Sequence, residues 1–375
     1  MDIQFAYWAT NLGGLVFSQV PQNTDWTFAY NAWLAQTAEA VGFDYALIAA
    51  RFIFTHGKGD HLESLSTTSA LAAVTQRLKL IAAVHPGLWH PGVVAKLGAT
   101  IDHIAPGRFG VNVVSGWFRK EFYTYGEPWL DHDERYRRSE EFIQILRGLW
   151  TQPEFSFSGD FYRLHDAWLQ PRPLVQPEIF QGGNSKAARR MAARYSDWYF
   201  MNGNSVEGIR EQIQEVLALA QEYGRRPKFA VNAFVIVRDT EQEAEAELER
   251  IIANANPDAV NAFAEQVKNA GAATSEKIGM WANSDLANLV QPNDGFKTGL
   301  IGTAEQVAEK IQTYYKAGVD LILCGFLHYT DELPAFGRQV IPLVRQIDVQ
   351  RLDRSNLRFD LQEDLQPDIH QAIER

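Results

Sequence analysis

Short apolar runs alternate with longer amphipathic stretches along most of the chain. Residues 3–8 read as a first strand, closed by Asn11-Leu-Gly-Gly14. Between residues 25 and 41, Leu34, Ala38 and Val41 share one helical face, and Gly42 suits the helix end. A strand at 45–49, a helix at 64–76, a strand at 78–84 and a helix at 93–105 follow. The run 109–114 is largely β-branched and bounded by glycine, which favours a buried parallel strand. A helix over 132–150 leads to two aromatic runs flanking Ser158-Gly159-Asp160, the pattern of an exposed hairpin. Pro171, Pro173 and Pro177 impose an extended approach to a strand at 178–181. Strands at 198–201, 229–237 and 321–324 then alternate with helices starting near 185 and at 206–223, 240–254, 303–317 and 333–346. Eight strand–helix units in one domain, 1–375, predict an α/β TIM (β/α)8 barrel with insertions; a doubly wound open sheet is the alternative. Residues 255–299 break the rhythm and read as an insertion that could serve as a lid, and 348–375 read as a charged tail.

Composition narrows the partners. Lys+Arg of 35 against Asp+Glu of 46 leaves a net charge of −11 with no basic block, which argues against nucleic acid and anionic membranes. A single cysteine, Cys324, rules out an intramolecular disulfide framework and a cysteine-rich metal site. The N-terminus carries no basic n-region, and no 18-residue apolar run occurs. The expectation is therefore a cytoplasmic enzyme without a signal peptide or membrane span.

In such a barrel the chemistry sits at the C-terminal strand ends. Asn112 is an amide in an otherwise apolar strand, either a structural group satisfied by nearby backbone or a holder of a polar ligand. Gln181-Gly-Gly-Asn-Ser185 precedes a helix; glycines let backbone amides approach an anion, though Gly-Gly is also a common turn. Arg135 and Tyr136 lie in the first turn of a helix that Asp131 and Glu134 could open as a capping box. They add weight to an anion site. Glu134 with Arg138, and Arg137 with Glu141, are spaced as solvated i,i+4 pairs. His56 and His61, like His85 and His90, lack a known metal-ligand spacing, so no metal is expected. Gly-x-Ser-x-Gly and Gly-x-Gly-x-x-Gly are both missing, so nothing points to a serine hydrolase or a Rossmann nucleotide site. Cys324 reads as a small core residue. Trp8, Phe52, Phe54, Trp89, Trp117, Phe118 and Phe326 crowd the loop ends, as an apolar pocket for a flat ring or small ligand would require.

Phe109-Gly-Val-Asn-Val-Val-Ser-Gly-Trp117, Asp131-His-Asp-Glu-Arg-Tyr136, Gln181-Gly-Gly-Asn-Ser185, Thr100-Ile-Asp-His-Ile-Ala-Pro-Gly-Arg108 and Asp320-Leu-Ile-Leu-Cys-Gly-Phe-Leu-His328 together resemble the bacterial-luciferase-like, two-component flavin monooxygenases. The likeness covers nearly the whole chain. It is nearest to the sulfone-oxidising branch through Phe5-Ala-Tyr-Trp8, Ser196-Asp-Trp-Tyr-Phe200, Val260-Asn-Ala-Phe263 and Asn293-Asp-Gly-Phe-Lys297. The resemblance implies reduced FMN from a separate NAD(P)H-dependent flavin reductase, O2 as co-substrate, and a homodimer or homotetramer. Its implied substrate is a small neutral organosulfur compound, dimethyl sulfone.

Carried over by residue, Asn112 and Glu121 would contact the flavin, and Ala49 and Ala50 would lie near its ring. Arg135 and Tyr136 would lie near the ribityl phosphate, which Ser185 would bind. Asn232 would donate to a sulfone oxygen, with Phe234 and Phe326 replacing the polar groups of alkanesulfonate monooxygenases. His328, His56 and Arg51 are candidates for proton handling, and the insertion with Lys297 for closure over the flavin. Alkanesulfonate or pyrimidine substrates, a deazaflavin cofactor, a non-catalytic flavin binder and an unrelated barrel lyase or hydrolase are the competing readings.

Overall fold

The structure, a computed structural model, describes residues 3–54, 59–271 and 286–345. His56, residues 272–285 of the insertion and the tail at 348–375 lie outside the described residues.

Strands β1 (Gln4–Trp8), β2 (Tyr45–Ile48), β3 (Lys79–Val84) and β4 (Phe109–Val113) alternate with helices α1 (Phe28–Ala40), α2 (Ser64–Val74) and α3 (Pro91–Ile104). After α4 (Arg119–Thr124) and α5 (His132–Thr151), β5 (Phe155–Ser158) and β6 (Arg163–Ala167) form the expected antiparallel hairpin. Then come β7 (Glu178–Gly182), α6 (Lys186–Tyr195), β8 (Trp198–Met201), α7 (Val206–Gln221) and β9 (Lys228–Phe234). The chain continues through β10 (Ile236–Val237), α8 (Glu241–Ala253), α9 (Pro257–Gly271), α10 (Leu286–Leu289) and a 3-10 turn at Gly295–Thr298. It ends with β11 (Ile301–Gly302), α11 (Ala304–Lys316), β12 (Leu321–Gly325) and α12 (Tyr329–Arg345).

Hydrogen bonds close β1, β2, β3, β4, β7, β8, β9 and β12 into one parallel barrel. The ladder from β12 back to β1, with Gln4 opposite Leu321 and Tyr7 opposite Cys324, excludes the open sheet. The strand expected over 229–237 is interrupted: β9 stops at Phe234, and Ile236 and Val237 leave the barrel to pair with Ile301 and Gly302. Among the described residues, no helix is long and apolar enough to cross a membrane.

Alternate residues of the strands point inward. Ala6, Tyr45, Leu47, Ile81, Phe180, Trp198, Ala230, Leu321 and Leu323 fill the barrel interior. Gly110 must lack a side chain, because a Cβ there would lie 2.8 Å from the Phe180 ring. The N-terminal end is plugged by polar groups. Glu178 accepts from Tyr45 Oη at 2.9 Å, Trp198 Nε1 at 3.0 Å and Lys79 Nζ at 3.3 Å. Burial raises the Glu178 pKa, but the Trp198 bond, the Lys79 and Lys228 ammoniums and the Tyr45 bond outweigh it, so the carboxyl stays below its usual range. The plug leaves the C-terminal mouth as the way in.

Two local expectations about α5 are corrected. Asp131 occupies the N-cap position, but its side chain makes no cap bond. The i,i+4 pairs do not form either. Arg138 is buried and turns to Glu127 at 3.6 Å, while Glu141 accepts from the backbone N–H groups of Asp160, Phe161 and Tyr162. The reason is the hairpin, which folds back onto α5 and turns its supposed solvent face into an interface.

Candidate active site

A cavity of about 250 Å³ opens at the C-terminal ends of the barrel strands. Trp8, Ala49, Ala50, Asn112, Gly182, Asn202 and Asn232 line it from strand ends or the residues just beyond. Arg51 and His85 join them from the loops after β2 and β3. Phe263 of α9 and the segment Gln291, Pro292 and Asn293 complete the wall, so the described part of the insertion borders the cavity.

Ala49 and Ala50 line the cavity, and their small side chains leave room for a flat group. Asn112 is buried, and its Oδ1 has no hydrogen-bond partner among the described residues. A merely structural amide would be satisfied by its surroundings. This one presents an unused acceptor to the cavity wall.

The Gly182–Ser185 turn builds a second part of the site. Ser185 caps α6, its Oγ accepting from the Ala188 N–H at 3.2 Å. Gly183 has φ of 129°, a conformation that favours glycine, and its missing side chain makes room for the Tyr136 hydroxyl. Tyr199 Oη donates to the Gly183 carbonyl and in turn accepts from Gln212 Nε2 at 2.8 Å, which fixes the turn from below. Burial raises the Tyr136 pKa, while the Ser185 hydrogen bond and the Arg135 charge pull it down only in part. The phenol therefore keeps its proton. Arg135 is buried, donates from Nη1 to the Leu130 carbonyl at 2.7 Å, and stacks on Trp129 at 4.1 Å. Its Nε has no partner. Burial pushes its pKa down to about 10, still a cation at neutral pH. A helix N-terminus, two hydroxyls and a buried guanidinium thus converge, a set of donors that suits a phosphate.

Glu121 is fully buried one layer behind the wall. Its Oε1 accepts from the Phe52 N–H at 2.6 Å and weakly from Ile53, fixing the loop after β2. Its Oε2 lies 3.7 Å from His85 Nε2 and 3.9 Å from Arg51 Nη1, with no hydrogen bond of its own. Burial lowers the His85 pKa more than Glu121 raises it, so the ring is neutral. Nδ1–H then donates to the Val114 carbonyl at 3.0 Å, leaving Nε2 to accept from Arg51 at 3.4 Å. Arg51 also stands over the Trp117 ring at 4.7 Å. His85 was visible in the sequence only as one of two histidines five residues apart; its burial against Glu121 is a long-range fact.

Asn232 lines the cavity, but much of its bonding capacity is already used. Its Oδ1 accepts from Trp8 Nε1 at 2.6 Å, and its Nδ2 donates to the Asn293 carbonyl at 3.1 Å. It is first a clamp joining β1, β9 and the insertion. Three other expectations are corrected. His328 does not line the cavity, and its Nδ1 accepts from the Asn23 N–H at 3.1 Å, so the ring anchors a loop. Phe326 packs outside the barrel against Tyr329 and Phe336, with ring centroids 5.5 and 5.7 Å away. Phe234 packs against Phe296 at 5.1 Å. Phe326 follows β12 with the parity opposite to the inward Leu321 and Leu323, whereas Phe234 shares the inward parity of Ala230 and Asn232 but packs at the end of β9 with Val16, Phe296 and Leu327 and is not among the residues lining the cavity. Lys297, expected to close over the flavin, is paired with Asp294 at 3.1 Å.

A closed parallel barrel with a phosphate-type cradle beside an amide- and aromatic-lined mouth defines a class, and comparison with known proteins agrees. Residues 10–321 match the luciferase-like monooxygenases, and the chain belongs to that family. The FMNH2-dependent dimethylsulfone monooxygenase of Pseudomonas putida is 57% identical over 352 residues, covering 93% of this chain and 97% of that protein. The protein of the same description from Pseudomonas fluorescens (strain Pf0-1) is 55% identical over 349 residues, covering 93% and 96%. In fold, the crystal structure of the long-chain alkane monooxygenase LadA matches with a TM-score of 0.77 at 21% identity, covering 94% of this chain and 96% of that one.

Proposed function

We propose that the chain is a reduced-FMN-dependent monooxygenase that cleaves dimethyl sulfone with O2 to methanesulfinate and formaldehyde. The observation that carries this reading is the 57% identity to a dimethylsulfone monooxygenase across nearly the full length of both chains. The residues present suit the cofactor. Asn112 Oδ1 is a buried acceptor without a hydrogen-bond partner at the cavity wall, which a flavin N–H or ribityl hydroxyl donor would satisfy, while Glu121 acts from behind the wall by holding the loop after β2 and facing Arg51 and His85. Arg135, Tyr136, Ser185 and the Gly183 turn would hold the phosphate.

Bound reduced FMN supplies the two electrons that split O2, one oxygen atom going to a substrate methyl carbon and the other to water. This chain's own residues bind, orient and shield. Trp8, Trp117 and Phe263 give the mouth apolar walls that exclude water. Asn232 holds Trp8 in place through its 2.6 Å bond. Arg51 and neutral His85 line the cavity and are the titratable groups that would manage protons for the reaction.

A neutral substrate fits the electrostatics. Among the described residues lining the cavity, Arg51 is the one with a full charge, and Glu121 lies 3.9 Å behind it. An alkanesulfonate would enter largely uncompensated, which a buried site penalises. The reaction requires a separate NAD(P)H:flavin reductase, and that dependence fits a cytoplasmic location. Self-association as a homodimer or homotetramer is supported by α3, where Val93, Leu97 and Ile104 are exposed. The loop carrying exposed Trp168, Leu174 and Val175 is tied along α3 by bonds from Lys96 to Gln170 and His103 to Arg172. An apolar strip of this kind marks an interaction surface.

Formaldehyde release from dimethyl sulfone, with O2, FMN, NADH and a generic flavin reductase, tests the reading. Release that needs both FMN and this protein is the expected result. Release from methanesulfonate but not from the sulfone would overturn it.

A further inference from the structure

Gln291 has its amide oxygen fixed by two hydrogen bonds and its nitrogen unused. It is 1% exposed and lines the cavity. Its Oε1 accepts from two backbone N–H groups, Asn293 at 3.1 Å and Gly295 at 2.7 Å. Turning the amide over would set its NH2 against both donors, so the assignment of oxygen and nitrogen follows from the bonds. The segment carrying those N–H groups is itself held. The Asn293 carbonyl accepts from Gly203 N at 2.9 Å and from Asn232 Nδ2, and a Cβ on Gly295 would lie 2.6 Å from the Phe234 nitrogen. With its oxygen tied, Gln291 leaves a buried Nε2 that has no partner among the described residues. A buried amide NH2 without an acceptor is costly unless a ligand completes it.

We infer that Gln291 Nε2 is the hydrogen-bond donor that recognises a sulfonyl oxygen of the substrate, an assignment that rests on the sulfone reading above. Dimethyl sulfone offers acceptors only, two oxygens on sulfur, between two methyl groups. The neighbouring candidates are more fully engaged: Asn232 holds Trp8 and Asn293, and Arg51 Nη1 donates to the Ala50 carbonyl at 2.8 Å. Gln291 also sits at the β8–β9 side of the mouth, on the segment that bonds to Gly203 and packs against the Phe234 backbone. A neutral donor there selects a neutral sulfone over an ionised sulfonate, because it adds no compensating charge.

Gln291→Glu tests this while keeping the loop. A carboxylate still accepts from Asn293 and Gly295 but presents an acceptor where the donor stood. The variant should raise KM for dimethyl sulfone by about tenfold or more, with FMN affinity measured by fluorescence quenching unchanged. Gln291→Met, which adds no charge, should do the same. In competition assays sulfolane should lose affinity for both variants, whereas the isosteric thioether tetrahydrothiophene, which lacks the oxygens, should not. Wild-type release of formaldehyde with KM and sulfolane inhibition unmoved in both variants would overturn the assignment alone. No release from dimethyl sulfone by the wild-type protein would overturn the sulfone reading and this assignment with it.

Discussion

A single methyl group at Gly183 should uncouple the phosphate cradle from the rest of the barrel. The glycine has φ of 129°, and an L-residue held there costs about 1–3 kcal/mol of backbone strain. The added Cβ would stand 2.6 Å from Tyr136 Oη and 2.9 Å from Ala188 Cβ. Ordinary contact begins at 3.4 Å, so relief at the 2.6 Å approach needs a shift of about 0.8 Å between Cβ and phenol. A shift of that size takes a normal hydrogen bond out of range. A hydrogen bond to a charged group contributes about 1.5–3 kcal/mol, so Gly183→Ala should weaken FMN binding between about tenfold and a hundredfold. Titration of flavin fluorescence quenching reads this directly, and a thermal melt reports the strain separately. Tyr136→Phe should lose a similar amount of affinity without the strain. The double variant should bind FMN little worse than the poorer single variant, since both changes remove the same contact. Unchanged affinity in Gly183→Ala, or losses that simply add, would refute the reasoning.

Two further outcomes follow from the buried groups. Burial keeps the folded-state pKa of His85 below its unfolded value of about 6.5, so the unfolded chain takes the proton first as pH falls. The His85 contribution to stability is therefore complete above about pH 6.5 and shrinks below it; His85→Gln should flatten that slope in unfolding free energy, and an unaltered slope would count against a neutral buried ring. Asn232→Ala strands the Trp8 Nε1 donor and takes one of two donors from the Asn293 carbonyl, and should cost about 1–3 kcal/mol in chemical denaturation. Its KM for sulfone should rise while FMN affinity stays within about twofold; a parallel loss of flavin would mean the two sides of the mouth are not independent.

The order of elements and most of their ends were legible because each inner strand is apolar enough to be buried on both faces, as Tyr45–Ile48 and Leu321–Gly325 are. The Gly182–Ser185 turn was legible because glycines beside a helix start carry a local backbone requirement, and Tyr136 because it falls in the first turn of a helix. The i,i+4 pairs on α5 misled because the spacing is local but the solvent is not. The β5–β6 hairpin covers that face, and Glu141 bonds to it instead.

By itself the sequence determined the barrel class and most strand positions, which spacing and hydropathy encode within a few tens of residues, and its motifs carried the resemblance to the family. Only the tertiary structure decided which side chains meet in the mouth. Closing β12 onto β1 and folding the insertion over β8 and β9 brought Trp8, Asn232 and Asn293 into one clamp across 224 and 61 residues of chain. The same closure put Phe234, Phe326 and His328 outside the cavity and His85 and Gln291 inside it. The physical reason is that a strand residue's facing and a polar group's saturation depend on partners distant in sequence. Whether an amide is spent, as in Asn232, or poised, as in Gln291, can be read only once those partners are in place.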